Sequence, residues 1–230
     1  MDIQEDKLHP TKRFRPLASG AIDKNFALIL SITLASISLL IASFIEPFLA
    51  IVLGIYFILN VGYSLKLKHI SIVDIFIIST GFVLRLFAGG VATGITLSYW
   101  IIIITFLLAL FLALAKRRDD VLLSLAGKET RKNIDGYNLE FVNSTMTLMA
   151  GVIVVSYILY SISPEVVAKL HTHYLYLTTF FVVLGIFRYM QLTFVEEKTG
   201  SPTKIVVKDR FLKVTILLWL LSFFVVVKLI

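Results

Sequence analysis

The sequence predicts an all-α fold, a polytopic membrane bundle of seven transmembrane helices. Three observations lead there. Of the 230 residues, 58% are hydrophobic and only 16% charged, more apolar surface than a soluble domain of this length needs. The apolar residues gather in runs of about 18–22, each long enough to cross the hydrocarbon core as a helix. The cations, finally, are concentrated in alternate connections, as topology-setting residues are. Helices are the form expected because a segment in lipid must satisfy its own backbone hydrogen bonds.

In order, the first run is Phe26–Ile45, joined at Glu46-Pro47 to the second, Phe48–Leu65. The third, Ile70–Ala92, follows a short basic connection around Lys66 and Lys68. After Thr93–Thr96 comes the fourth, Leu97–Ala115, with Tyr99 and Trp100 as interfacial anchors. A long polar connection, Lys116–Glu140, leads to the fifth, Phe141–Ile162. Tyr174–Val195 and Phe211–Ile230 complete the set.

Of the 22 Lys and Arg residues, eighteen lie before Phe26 or in the connections around Lys66, Lys116–Glu140 and Lys198–Lys213. Only Lys169 and Lys228 fall on the other side, so the N-terminus is expected in the cytoplasm and the C-terminus outside. That placement explains the net charge of +7 without nucleic acid. Glu46 and Glu165 are the outer acids, whereas Asp2, Asp6, Asp119, Asp120, Asp135 and Glu140 belong to the inner side, where the connections are long. Chemistry is therefore expected at the cytoplasmic face. With no cysteine, disulfides and thiolate chemistry are excluded. The polar, acidic start gives no sign of a cleaved targeting segment.

Three clusters carry candidate chemistry, each with a plainer alternative. Asp2 and Asp6 share a helix face and precede Lys7, His9, Lys12, Arg13 and Arg15, with Pro10 and Pro16 between. Carboxylates that hold a divalent cation beside cations that hold phosphate suggest a diphosphate site; the alternative is a solvated tail. Tyr63-Ser-Leu-Lys-Leu-Lys68-His69, with Asp74 just inside the next helix, is a second cluster or an ordinary helix end at the interface. Lys116-Arg-Arg-Asp-Asp120 is a third, with topology setting as its default reading. Arg85 and Arg188 lie within helices, where a charge is costly. Arg188 is near enough to a helix end to snorkel or reach a phosphate. Arg85 lies close to three turns after Asp74, so both are expected on one face toward the bundle interior, as an ion pair or a ligand contact. Gly89, Gly90 and Gly94 suggest close helix packing.

These pieces resemble the UbiA superfamily of intramembrane prenyltransferases, and within it the decaprenyl-phosphate phosphoribosyltransferase branch. Asp2-x-x-x-Asp6 followed by LHPTKRFRPLASG looks like the back half of the family's first acidic motif and its basic extension. Tyr63-SLKLKHISIVD, ending at Asp74, follows the branch's second signature. LALAKRRDD, Arg131 and Tyr137-NLEF occupy the second acidic motif's region, with Asp120 where the branch usually has Glu. GIFRYMQL and TKIVVKDRFL resemble the last two helices. The family has nine helices and an Asn-Asp ahead of the first motif. The sequence is therefore expected to be one UbiA-like domain over residues 1–230, truncated at its N-terminus relative to the family.

The resemblance implies a magnesium-dependent transferase joining phosphoribosyl pyrophosphate to a polyprenyl phosphate in the plasma membrane, with self-association left open. Asp2 and Asp6 would bind Mg²⁺, with Asp120 as a third catalytic carboxylate. Lys12, Arg13, Arg15, Tyr63, Lys66, Lys68, Asp74, Lys116, Arg117, Arg131, Tyr137 and Arg188 would contact substrate. One alternative is a prenyltransferase taking a prenyl diphosphate and an aromatic or lipid acceptor. Others are a truncated inactive member and a transporter, although no internal repeat of the transporter kind is visible.

Overall fold

The computed structural model describes residue 7 and residues 12–127, 134–197 and 202–228. The helices are α1 (Lys24–Ile45), α2 (Pro47–Leu65), α3 (Val73–Thr93), α4 (Tyr99–Leu125), α5 (Leu139–Ile162), α6 (Pro164–Leu170), α7 (Thr179–Phe194), α8 (Pro202–Lys208) and α9 (Arg210–Lys228). Short 3-10 turns occur at Lys12–Phe14, Leu67–His69, Ile134–Gly136 and Leu175–Thr178. Among the described residues seven segments are long and apolar enough to cross a membrane, the sixth being Leu175–Phe194, where the turn runs into α7. The expected all-α membrane architecture is the one observed.

Local chemistry sets the helix starts. Asp23 caps α1 by accepting from the Asn25 and Phe26 N–H groups, Ser98 caps α4 through the Ile101 N–H, and Asn138 caps α5 through the Phe141 N–H. Pro47 and Pro164 open α2 and α6 at a position where the missing N–H costs nothing.

Three expectations change. The fourth span does not stop at Ala115 but continues as helix to Leu125, because Arg117, Arg118 and Val121 prolong its buried stripe. At Gly89 and Gly94 the glycine pattern does not mark a tight crossing. A Cβ at Gly89 would meet nothing within 4 Å, and Gly94, at φ +68°, sits just past the end of α3 in a conformation that suits glycine. Arg85 is exposed, its guanidinium 5.7 Å from the Tyr56 ring centre, while Asp74 is fully buried. The two do share a helix face, but that face meets different surroundings at its two ends.

Contacts gather into two compact units, Met1–Lys68 with Leu84–Thr96, and His69–Val83 with Leu97–Ile230. In the first, α1 packs on α2 and buries only Ala42, leaving long apolar faces of the kind lipid covers. The second holds the main core, in which Phe111, Leu114, Val142, Met146, Ile186 and Leu192 interlock α4, α5 and α7. Hydrogen bonds and ion pairs there join the start of α3, the end of α4, the start of α5 and the end of α7. The polar ends of these four helices therefore meet at one end of the unit.

Candidate active site

At that end an acid, a phenol and a guanidinium are buried together. Asp74, in the first turn of α3, and Arg117, near the end of α4, are each 0% exposed. Asp74 Oδ2 lies 3.3 Å from Arg117 Nε, and Arg117 Nη1 lies 2.5 Å from Asp120 Oδ2 one turn on. The first contact pairs charges without hydrogen-bond alignment. Asp74 Oδ2, Arg117 Nε and Arg117 Nη2 have no hydrogen-bond partner among the described residues. Burying such a pair costs several kcal/mol per ion before attraction offsets it, so the arrangement is not one that stability alone favours.

Tyr137 completes the cluster. It sits between the Ile134–Gly136 turn and α5, where its hydroxyl donates to Asp74 Oδ1 at 2.6 Å and accepts the Ile72 N–H at 2.7 Å. Burial, then the hydrogen bond to Asp74, push its phenol up, which favours the neutral hydroxyl that donates to Asp74. Ile72 has φ +71°, a left-handed conformation that a β-branched residue adopts only under constraint. The neighbouring loop is just as tight: a Cβ added to Gly136 would run into both Oγ and Cβ of Ser71. Rotating Ser71 relieves the first clash but not the second, so backbone must move. Gly136→Ala is expected to cost about 1–3 kcal/mol and to lower activity with it, measured as thermal unfolding in detergent alongside turnover.

Two arginines that sequence spacing treats alike have different roles. Arg118, 4% exposed, donates to Asn143 Oδ1 at 2.9 Å and to the Thr193 carbonyl at 2.6 Å, stacking over Phe194. It therefore ties α4 to α5 and caps the C-terminal end of α7, where a cation suits the helix dipole. Nothing in the KRRDD run distinguishes it from Arg117 beforehand. Arg188 is held by Asp209 (2.7 Å), Glu196 (2.9 Å) and Gln191 (2.7 Å). Asp209 also accepts the Leu212 N–H, an N-cap for α9 that the Asp-Arg-Phe-Leu sequence signals.

The remaining expected residues are distributed as follows. Lys116 is exposed on α4. The first unit carries Tyr63 in the last turn of α2, Lys66 at its C-cap, Lys68 in the following turn, and exposed Arg13 and Arg15 near Phe14. Lys12 lies in the turn that includes Arg13. Asp2, Asp6 and Arg131 lie outside the described residues. Among the described residues no three His, Cys, Asp or Glu side chains cluster closely enough to hold a metal.

The family model described as "UbiA prenyltransferase family" matches residues 1–212. The chain is 34% identical over 226 residues to the decaprenyl-phosphate phosphoribosyltransferase of Mycolicibacterium smegmatis, covering 95% of this chain and 71% of that protein. It is 32% identical over 222 residues to the protein of the same name from Corynebacterium glutamicum, covering 95% and 66%. Its fold is similar to that of a UbiA homolog from Archaeoglobus fulgidus solved with DMAPP and Mg²⁺, at TM-score 0.67 and 18% identity, over all of this chain and 80% of the other.

Proposed function

The chain belongs to the UbiA prenyltransferase family and is a UbiA-family transferase, and from that premise we propose that it transfers phosphoribose from phosphoribosyl pyrophosphate to a polyprenyl phosphate. The observation that supports this choice of substrates is the identity of 32–34%, over 95% of the chain, to proteins named decaprenyl-phosphate phosphoribosyltransferase. In this reading residues 1–230 act as one UbiA-like domain of the cytoplasmic membrane, with the N-terminus and the reaction on the cytoplasmic side. The charge asymmetry of the connections supports that orientation.

A lipid phosphate oxygen attacks C1 of the ribose, and the bond from C1 to pyrophosphate breaks. The nucleophile is already anionic, so no strong general base is needed, and the protein's task is to hold phosphates and stabilise the leaving group. Mg²⁺ bound by Asp2 and Asp6 would neutralise and orient the pyrophosphate. Arg117 is the best-placed cation among the described residues, since its Nη2 retains a buried donor that a phosphoryl oxygen can accept. Lys12, Arg13, Arg15, Lys66 or Lys68, and Lys116 are assigned phosphate contacts from the motif match, Asp120 a catalytic role, and Tyr63, Arg131 and Arg188 substrate contacts.

Membranes containing the protein should convert labelled phosphoribosyl pyrophosphate and polyprenyl phosphate into a lipid-linked phosphoribose. EDTA should stop the reaction and added Mg²⁺ restore it. Transfer from a prenyl diphosphate, with none from the ribosyl donor, would overturn this assignment in favour of a prenyl donor.

A further inference from the structure

We propose that Asp74 and Tyr137 do not touch substrate but are positioning residues that fix Arg117 so that its Nη2 is presented to a pyrophosphate oxygen. This rests on the reading above that the site handles a diphosphate group. Motif matching places Asp74, Tyr137 and Arg117 together as substrate contacts; the geometry separates them. All three are buried, Asp74 and Arg117 at 0% and Tyr137 at 6% exposure, so they differ in which polar atoms are already occupied: the Tyr137 hydroxyl has both its donor and its acceptor engaged, to Asp74 and from Ile72. Asp74 has one oxygen on Tyr137 and the other against Arg117 Nε. Asp120 holds Nη1. A guanidinium is planar and rigid, so the hydrogen bond at Nη1 and the Asp74 carboxylate facing Nε at 3.3 Å together set the direction of Nη2, a nitrogen that makes no hydrogen bond to a described residue and faces neither carboxylate.

The loop around the pair is built to hold this orientation. Ile72 is kept in a left-handed conformation with its N–H on the Tyr137 hydroxyl. Local strain of this kind persists only where surrounding structure enforces it. The close approach of Gly136 to Ser71 brings Tyr137 within reach of α3. Such an arrangement costs stability and yields an oriented cation, which is useful where charge must be met at a defined place.

The test is calorimetric titration of inorganic pyrophosphate, with Mg²⁺, into the detergent-solubilised full chain. Tyr137→Phe removes only the hydroxyl and should weaken Kd about tenfold, the effect of misplacing one charge-assisted hydrogen bond. Arg117→Gln should weaken it as much, and the double variant no further, as expected for residues acting through one group. Asp74→Asn reads the same loss if Tyr137→Phe proves unstable. A merely structural role would lower the fraction of protein that binds and leave Kd alone. Wild-type affinity in Tyr137→Phe, additive losses, or no pyrophosphate binding by the wild type would each overturn the proposal. The predicted pattern without phosphoribosyl transfer would refute the donor assigned above and leave the positioning role standing.

Discussion

Asp6→Asn is expected to reduce phosphoribosyl transfer at least about 100-fold while leaving the amount of protein in the membrane unchanged. The reaction as proposed has no general base to lose, and its barrier is dominated by negative charge accumulating on the departing pyrophosphate. A carboxylate that binds the metal contributes through that metal, and charge stabilisation by a bound divalent cation is worth several kcal/mol in the transition state. Losing even about 3 kcal/mol of it is about two decades in rate. The amide keeps the size and one oxygen of Asp6 but removes the charge, so packing is spared and the electrostatics are not. Asp2→Asn should behave in the same way. Glu46→Gln makes the matching control: Glu46 is exposed at the α1–α2 connection and its side chain makes no cap hydrogen bond, so turnover should stay at the wild-type level. Immunoblotting of membranes normalises the assay. Unchanged turnover in Asp6→Asn would remove the metal assignment.

The fold was legible because lipid imposes two simple demands, length and apolarity, and the seven runs met both without relying on tertiary detail. Where the structure departs from the sequence pattern, tertiary contacts decide the matter. The apolar run ends at Ala115, yet Arg117 and Arg118 are carried on into the core because Asp74, Asp120, Asn143 and the Thr193 carbonyl await them. Periodicity put Arg85 on the same face as Asp74 and could not say what that face would meet. At the site, residue types and motif spacing singled out Asp74, Arg117 and Tyr137, which lie far apart in sequence and in contact in the structure. Their division of labour was invisible, since burial and the spending of particular hydrogen-bonding atoms are properties of the packed chain. Ile72 and Gly136 were missed for a related reason. A hydrophobic residue with positive φ leaves no trace in composition, and a glycine needed for a close approach looks like any turn glycine.

Asp74→Ala should be the most destabilising single substitution at the site, by about 3–5 kcal/mol, because it leaves the fully buried Arg117 without its counter-charge on α3. The Tyr137 hydroxyl would lose its acceptor in the same step. The sign of the second change is what makes the experiment informative. Removing Arg117 as well, in Asp74→Ala/Arg117→Met, takes away the stranded charge, and buried ion pairs replaced by apolar groups are often no less stable than the original. The double variant should therefore recover most of the stability lost in Asp74→Ala, read as the unfolding midpoint in a fixed detergent. Activity should not recover with it, since the guanidinium that meets the diphosphate is gone. Stability regained and turnover still absent would separate the two costs of this cluster, the electrostatic one borne by the fold and the catalytic one it serves. If the double variant instead unfolds as readily as Asp74→Ala, Asp74 stabilises the protein mainly through Tyr137 and the α3 loop, and the ion pair is the lesser contribution.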